Sequence, residues 1–526
     1  CIRDRNLVDM ICLIQNVEDY NNDLRVILMA FYMGVKIITP KNIEKKPELG
    51  ADVAATLVAE FAEGQTKIWM KDGGLDVKSE GASEDKQQDW SAGEVCGKPD
   101  IVIDQDYHDR KVFRNVLKRA MYRMLSERTG RVLPWGSLTG VRPVKIAMEA
   151  VERGCTDEEI QKLYQETYVA SREKAEACVK IARREKAIIE TIDERNEYCL
   201  YIGIPFCPTR CLYCSFTSYP IGVYKDKVDA YLDTMEKEME YIAESYTEKK
   251  LASIYIGGGT PSSISAEQMD RLCSMIEKHF DLSQVREYTI EAGRPDSTTA
   301  DKLQVMKAHG VDRISINPQT MNGETLKLIG RAHTPEQAEE AFMRAREAGF
   351  DNINMDLIVG LPGEDAEMVK RTLEKVKKLA PESLTVHTLA IKRAAHLKQE
   401  MDKYSFAGDV DEQLSLVGQA AEELGLAPYY LYRQKNMAGN LENVGYARHG
   451  LECLYNILIM EERTDIIGIG AGSSSKLIRR EGDLDPVTGE TVIGNRIDRV
   501  ENCKSVDDYI ARIDEMIDRK KQAFAK

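Results

Sequence analysis

From Tyr198 onward, short apolar runs alternate with longer amphipathic runs. Six of the apolar runs predict strands, namely CLYIGIPF, ASIYIGGG, EYTIEAG, RISINPQ, NINMDLIVG and SLTVHTLAI. Between them, segments such as VDAYLDTMEKEMEYIAESY and TPEQAEEAFMRAREAG carry apolar residues at helical spacing. Six strand-then-helix units over about 200 residues predict an α/β fold, a parallel sheet wound as a partial (β/α)6 barrel.

The chain on either side of this region does not show the same alternation of strand-like and helix-like runs. Leu24 to Ile38 reads as strand and turn, and a helix beginning near Val112 is expected to end at Gly130, a good C-cap residue. After about Glu400 there is a further strand-like segment, DIIGIGAGSSSKL. We therefore expect three regions: an accessory α/β-helical domain over 1–195, the barrel over 196–400, and a small α+β region over 401–526 that completes the substrate site.

Composition narrows the class of protein. The chain has 526 residues, 43% of them hydrophobic and 30% charged, as in soluble globular proteins. A net charge of −15 argues against a nucleic-acid backbone as the main partner. No run approaches the roughly 18–20 apolar residues of a membrane span, and no leader of secretory type is recognisable. We expect a cytoplasmic protein without a membrane span.

Most of the 12 cysteines are scattered singly, but CPTRCLYC holds Cys207, Cys211 and Cys214 within eight residues. A structural zinc ion takes four ligands, so that alternative requires a distant fourth cysteine or histidine. A [4Fe–4S] cluster needs one ligand per iron, and three cysteines leave one iron open to a substrate or cofactor. The three cysteines follow the first predicted barrel strand, where barrels carry their chemistry.

Polar residues also mark the ends of the later strands. GGGTP follows the second strand, Glu291 lies in the third, Gln319 ends the fourth and Asp356 lies in the fifth. Each alone has a structural alternative: a tight turn for the glycines, and for Glu291 an ion pair with Arg294 or Arg313. Several such residues at successive strand ends indicate a single site. His387, in the sixth strand, is either a core histidine or a ligand.

The ordered set of motifs resembles a known family. These motifs are YIGIPFCPTRCLYCSF, IYIGGGTPSSIS, YTIEAGRP, RISINPQT, GRAHTPEQA, NINMDLIVGLPGE and DIIGIGAGSSS. They resemble the radical S-adenosylmethionine (SAM) superfamily and, within it, the oxygen-independent coproporphyrinogen III oxidase (dehydrogenase) family. The front segment LPWGSLTGVRPVKI is similar to the HemZ-type subgroup of that family.

The resemblance implies a radical SAM oxidoreductase of haem biosynthesis that decarboxylates two propionates of coproporphyrinogen III. It implies a [4Fe–4S] cluster on Cys207, Cys211 and Cys214, SAM on the open iron, and catalytic roles for Tyr201 and Glu291. It assigns the SAM region to Tyr201, Tyr213, Gly258, Gly259, Thr260, Glu291, Gln319, Arg331, Asp356, Ala390 and Ser474. The implied partners are a tetrapyrrole substrate or haem and a low-potential electron donor such as flavodoxin or ferredoxin.

The sequence departs from the oxidase pattern at two positions. Phe216 stands where the oxidase has a further cysteine, which is closer to the HemW-like branch of haem-binding chaperones. Ser474 stands where the oxidase has an apolar residue that accompanies a second SAM. A haem-binding chaperone and a haem-modifying radical SAM enzyme therefore remain alternatives. Candidate cations for the propionates are Arg210, Arg294, Lys392, Arg393, Arg433 and Arg448.

Overall fold

A computed structural model describes residues 9–32, 34–74, 97–390, 408–434, 441–485 and 488–524. The chain forms two compact units. The first takes in most of the chain up to residue 179, and the second takes in most of the chain from residue 180 on. Within the described ranges, no helix is both long enough and apolar enough to cross a membrane.

The first unit is built on a five-stranded sheet. Its strands are β1 (Met10–Gln15), β2 (Lys36–Ile38), β3 (Ala55–Ala62), β4 (Gln65–Asp72) and β5 (Ile101–Ile103), in the order β2-β1-β3-β4-β5. Strand β1 runs parallel to both neighbours, and the remaining pairs are antiparallel. The helices up to residue 189 are α1 (Asn21–Phe31), α2 (Pro40–Lys45), α3 (Arg110–Thr129), α4 (Val144–Glu152), α5 (Asp157–Tyr168) and α6 (Arg172–Ile189).

The interpretation of Leu24 to Ile38 as strand and turn was wrong over most of its length. Leu24, Ile27, Leu28 and Phe31 are all buried on helix α1, at the spacing that places side chains on one face. Only the last three residues of the segment form a strand. The apolar run is thus a buried helix face rather than a strand. The helix end was predicted correctly, because α3 stops at Gly130 in the left-handed conformation.

The second unit contains an eleven-stranded sheet. Its strands and a short two-stranded ribbon are β6 (Glu197–Ile204), β7 (Phe206–Cys207), β8 (Tyr219–Pro220), β9 (Lys250–Gly258), β10 (Glu287–Gly293), β11 (Arg313–Gln319), β12 (Asn352–Val359), β13 (Ser383–Thr388), β14 (Ala427–Tyr432), β15 (Asn443–Ala447), β16 (Asp465–Ile469), β17 (Ser474–Arg479) and β18 (Arg496–Glu501). The order of the large sheet is β14-β15-β13-β12-β11-β10-β9-β6-β16-β17-β18.

Helices follow the strands along the chain. They are α7 (Ile221–Tyr224), α8 (Val228–Ser245), α9 (Ala266–His279), α10 (Ala300–Ala308), α11 (Gly323–Leu328), α12 (Pro335–Glu347), α13 (Ala366–Leu379), α14 (Val410–Glu423), α15 (Leu454–Glu461), α16 (Val506–Ala511) and α17 (Ile513–Phe524). The six strands from β6 to β13 in the large sheet are parallel, which confirms the α/β fold and its partial (β/α)6 barrel. The C-terminal strands extend both edges of this sheet.

The strands of the parallel core present two different faces, because successive side chains point to opposite sides of a strand. Residues such as Ile202, Ile256 and Met355 are fully buried on one face. The other face, called the polar face below, carries polar and aromatic side chains. On it Tyr201 pairs in register with Tyr255, and Asp356 with Thr385. A parallel sheet that is covered on both faces is usually apolar on both. Here only one face is apolar, and the polar face is available for a functional site.

Candidate functional site

The cysteine loop, residues 207–214, is held against the loop that follows β9. The amide of Gly259 donates to the carbonyl of Ile204 at 2.8 Å, and the amide of Thr260 donates to that of Phe206 at 2.7 Å. The hydroxyl of Thr260 also lies 3.4 Å from the sulfur of Cys207, to which it donates. The glycine-rich loop therefore braces the first cysteine.

Gly259 is required by this close packing. A Cβ at this position would lie 2.6 Å from the carbonyl oxygen of Phe206 and 3.0 Å from the sulfur of Cys207. Gly258 adopts a φ of 112°, which side chains disfavour. The positive φ at Gly258 and the close approach of Gly259 to the backbone of the cysteine loop thus account for two of the three glycines.

The three thiols are close enough to influence one another. Burial, and the neighbouring Cys214 and Cys211, raise the pKa of Cys207 to about 11. Burial likewise raises the pKa of Cys214. Three thiolates in such a loop would require positive charge nearby, which the irons of a cluster held by Cys207, Cys211 and Cys214 would supply. Across the described ranges, no three His, Cys, Asp or Glu side chains form a group that could hold a metal ion.

The far side of the cysteine loop rests on an apolar patch at the ends of β12 and β13. The amide of Leu212 donates to the carbonyl of Ile329 at 2.9 Å. Leu212 and Tyr213 pack against a buried cluster that consists of Leu326, Ile329, Ile358, Leu361 and Leu389. Ala390 directly follows this cluster and is partly exposed. The loop is therefore fixed on both sides by strand ends of the parallel core.

Gln319 and Arg331 carry buried polar atoms that have no hydrogen-bond partner among the described residues. Gln319 ends β11 with a φ of 70°, unusual for a residue with a side chain, and its buried Oε1 accepts no hydrogen bond. Arg331 is buried, donates through Nη2 to the hydroxyl of Tyr213 at 3.3 Å, and has no partner for Nε or Nη1. Backbone strain and unpaired buried groups are typical of a ligand site. The carboxylate and hydroxyls of SAM suit these donors and this acceptor.

Glu291 projects from β10 beside Tyr255. The tyrosine hydroxyl donates to Oε1 of Glu291 at 2.6 Å. Burial, only partly offset by this hydrogen bond, raises the pKa of Glu291 to about 7. The alternative of an ion pair with Arg294 was wrong, because Arg294 pairs with Asp296 instead. Glu291 is therefore a carboxyl group that changes charge near neutral pH.

Asp356 and His387 lie together on the polar face. Oδ1 of Asp356 accepts from the side-chain amide of Asn354 at 2.7 Å, and Oδ2 lies 3.8 Å from Nε2 of His387. Asn354 also donates to Ser315 and accepts from Thr385. This hydrogen-bonded row spans three strands and fixes the aspartate. His387 is partly exposed beside it, so it is not a core histidine.

Three stacked tyrosines line the polar face next to Glu291. Tyr455 stacks on Tyr255 with ring centroids 4.6 Å apart, and Tyr201 lies 6.0 Å from Tyr455. Of these, the sequence singled out only Tyr201. Strand alternation could have found Tyr255, since it lies two residues before Gly257 on the same face. Tyr455 comes from α15, far along the chain, and carried no signal of this kind.

Ser474 begins β17, next to the loop of the GIGAG segment. A Cβ on Gly472 in this loop would lie 3.5 Å from the hydroxyl of Thr217, three residues after Cys214. The amide of Gly470 donates to the buried carboxylate of Glu238 at 2.9 Å. Lys520 of α17, also fully buried, donates to the same carboxylate at 2.6 Å. A buried ion pair thus anchors the segment that leads into Ser474.

The candidate cations for propionates fall into different environments. Arg294 is buried and paired, so it does not face a substrate. Arg433 is buried after β14, and Arg210 and Arg448 are exposed. Lys392 and Arg393 lie outside the described residues.

Comparison with known proteins agrees with this geometry. A model of the "Radical SAM superfamily" matches residues 201–376, which contain the cysteine loop and the parallel core. The fold and the site therefore define a radical SAM protein.

Individual relatives narrow the family. The chain is 41% identical over 438 residues to the oxygen-independent coproporphyrinogen-III oxidase-like protein HemZ of Bacillus subtilis, covering 82% of this chain and 85% of that protein. It is 33% identical to the heme chaperone HemW of Lactococcus lactis, over 55% of this chain and 72% of that protein. The solved coproporphyrinogen III oxidase HemN of Escherichia coli aligns with a TM-score of 0.49 and 24% identity, over 63% of this chain and 73% of that one. The chain belongs to the HemZ-type group of oxygen-independent coproporphyrinogen III oxidase-like proteins.

Proposed function

We propose that this protein is a radical SAM enzyme that converts two propionate side chains of coproporphyrinogen III to vinyl groups, giving protoporphyrinogen IX. One observation carries the proposal: in a HemZ-type chain, the loop that holds Cys207, Cys211 and Cys214 is bonded through Tyr213 to Arg331, a buried arginine with two unpaired nitrogen atoms. Cys207, Cys211 and Cys214 would hold a [4Fe–4S] cluster with one open iron. When bound, the cluster and SAM supply a radical that removes a hydrogen atom from the substrate.

The chain's own residues would position SAM for this step. Arg331 and Gln319 would offer donors and an acceptor to its polar groups, and the carboxylate of Glu291 would attract its positive charge. Tyr201 and Asp356 would complete the binding surface on the polar face. A propionate that loses a hydrogen atom from its β-carbon, then CO2 and one electron, becomes a vinyl group. SAM would be the oxidant that takes up the hydrogen atom as part of 5′-deoxyadenosine, and the substrate's electron would pass to the cluster or to an external electron acceptor. A flavodoxin or ferredoxin is the proposed source of the electron that reduces the cluster.

The C-terminal region has a proposed role on the substrate side. Strands β14 and β15 extend the edge next to β13, and β16 to β18 extend the edge next to β6. They therefore flank the polar face at both ends, and we propose that this region completes the tetrapyrrole site. The N-terminal domain is proposed to be accessory to it.

Haem carriage is the second candidate function. Two observations favour it: the 33% identity to a heme chaperone, and Phe216 in the position of the oxidase's extra cysteine. Phe216 is 67% exposed beside the cysteine loop. Under this hypothesis the cysteine loop still holds a cluster, but the chain binds haem and does not turn over SAM.

The test is an anaerobic assay of the reconstituted full-length chain with dithionite, SAM and coproporphyrinogen III. We expect 5′-deoxyadenosine and a product that has lost two CO2, measured by mass spectrometry. Cys214→Ser should abolish both products, whereas Cys155→Ser, at a partly exposed cysteine outside the loop, should leave them unchanged. Deoxyadenosine without decarboxylation would indicate another radical reaction. Neither product from a chain with an intact cluster, together with haem binding, would favour the chaperone.

A further inference from the structure

Two buried arginines hold the two halves of the cysteine loop. Arg294 donates through Nη1 to the carbonyl oxygen of Thr209 at 3.2 Å and to its hydroxyl at 2.7 Å. Thr209 lies between the first two cysteines. Arg331 donates to the hydroxyl of Tyr213, which lies between the second and third cysteines. The relative position of the two guanidinium groups therefore bears on the shape of the whole loop.

Asp296 and His333 lie near these guanidinium groups. Arg294 binds both carboxylate oxygens of Asp296, at 2.9 and 2.8 Å. Nδ1 of His333 lies 4.0 Å from the same carboxylate, and the histidine side chain has no exposed surface. The carbonyl of Pro318, immediately before Gln319, faces the ring. His333 therefore lies between the Arg294–Asp296 pair and the strand end that carries Gln319.

The charge balance explains why a histidine suits this position. Burial and the guanidinium of Arg331 lower the pKa of His333 to about 4, so the ring is neutral at neutral pH. A neutral imidazole has one donor and one acceptor and adds no third positive charge beside Arg294 and Arg331. Neither ring nitrogen has a hydrogen-bond partner of normal geometry within the described residues. The ring thus places a polar but uncharged side chain beside the Arg294–Asp296 pair.

We propose that His333 is a positioning residue that sets where the guanidinium of Arg331 lies, and through it the geometry of SAM binding. Its side chain is fully enclosed, so it acts through its neighbours rather than on the ligand. The inference rests on the proposed function, since it takes Arg331 to be a SAM-binding residue. At metal sites, removing a buried group that supports a ligand residue lowers affinity by about 10- to 100-fold, and we expect the lower end of this range for SAM.

The test compares three variants of the reconstituted full-length protein by anaerobic equilibrium dialysis with SAM. His333→Leu fills the space without polar atoms and should weaken SAM binding by about tenfold, while iron per chain stays at the wild-type value. His333→Gln restores a neutral donor and acceptor and should recover most of the affinity. His309→Leu is the matched control, because His309 pairs with Glu277 and Asp270 away from the loop and should bind SAM normally.

Two results would overturn the inference. One is wild-type SAM affinity in His333→Leu, which would make the ring a packing residue. The other is equal loss of iron in both His333 variants with SAM binding reduced in proportion, which would make the ring a support of the loop alone. If the wild-type protein binds no SAM, the proposed function fails. Crystal structures without SAM then decide the inference, which requires Arg331 to leave Tyr213 in His333→Leu and to stay in His333→Gln.

Discussion

Glu291→Gln tests the electrostatics of the site. Burial raises the pKa of this carboxyl from 4.5 to about 7, while its hydrogen bond from Tyr255 opposes the shift. Such a shift corresponds to about 3 kcal/mol of difference between the protonated and ionised forms. Glutamine keeps an oxygen that accepts from Tyr255 and removes the titration. The substitution therefore isolates the charge of Glu291 from its hydrogen bond.

SAM binding should depend on pH through this group. A carboxylate attracts the positively charged ligand, and a neutral carboxyl does not, so the ionised form of Glu291 binds SAM more tightly. With a pKa of about 7, wild-type affinity should fall about tenfold between pH 8 and pH 6. Glu291→Gln should bind weakly and with much less dependence on pH. Anaerobic equilibrium dialysis of both holoproteins across this range measures the difference.

Stability should change in the opposite direction with pH. A carboxyl whose pKa is raised on folding stabilises the protein fully below pH 4.5, and this contribution is lost as the pH rises through 7. The free energy of unfolding of Glu291→Gln should therefore equal that of the wild type near pH 4.5 and be higher by up to about 3 kcal/mol at pH 8. Denaturant unfolding of the two apoproteins tests this. Parallel pH profiles of wild type and variant, in binding and in stability, would refute the assignment of this pKa.

Three further substitutions test the scaffold. Gly259→Ala forces a Cβ to within 2.6 Å of the carbonyl of Phe206, so iron per chain after reconstitution should drop while far-UV circular dichroism is retained; normal iron would contradict the close packing. Lys520→Met leaves the buried carboxylate of Glu238 unpaired and should cost about 3–5 kcal/mol in urea unfolding. Adding Glu238→Gln should recover part of that loss, and no recovery would argue against the ion pair. Gly136→Ala places a Cβ against backbone carbonyls and should lower the thermal midpoint of the first unit; an unchanged midpoint would contradict this contact.

The parallel core was predictable because its strands obey a simple rule. Over most of β9 and β12 a β-branched or long apolar residue alternates with a polar, aromatic or glycine residue; β9 ends at Gly258, and Gly360 directly follows β12. Local pattern and tertiary environment therefore agree, and the strand bounds differ from the predicted runs by only a few residues. The cysteine motif was equally local, since all three cysteines lie within one loop.

The parts that sequence reasoning missed depend on contacts between distant segments. Arg294 follows a strand end, and the sequence made it a candidate for binding a propionate. In the folded chain its guanidinium instead donates to Asp296 and Thr209. Tyr455 joins the polar face through the start of α15, where the amides of Leu454 and Tyr455 donate to the buried carboxylate of Glu287 on β10. Periodicity shows which residues share a face, and it does not show which distant helix covers that face.

Decarboxylation and haem carriage make the same demands on the cysteine loop. Gly259, Arg294 and Arg331 shape that loop whichever function holds, so their presence does not separate the two. The difference must arise where a tetrapyrrole would contact the chain, on the polar face beyond the SAM residues. His387 lies partly exposed at the border of that area, next to Asp356, the proposed SAM residue that a hydrogen-bonded row fixes in place. A reaction that acts on one propionate at a time needs such a fixed, orienting pair near the radical, whereas carriage needs affinity for the macrocycle alone. His387→Phe should therefore impair decarboxylation more than haem binding if the chain is the enzyme proposed here.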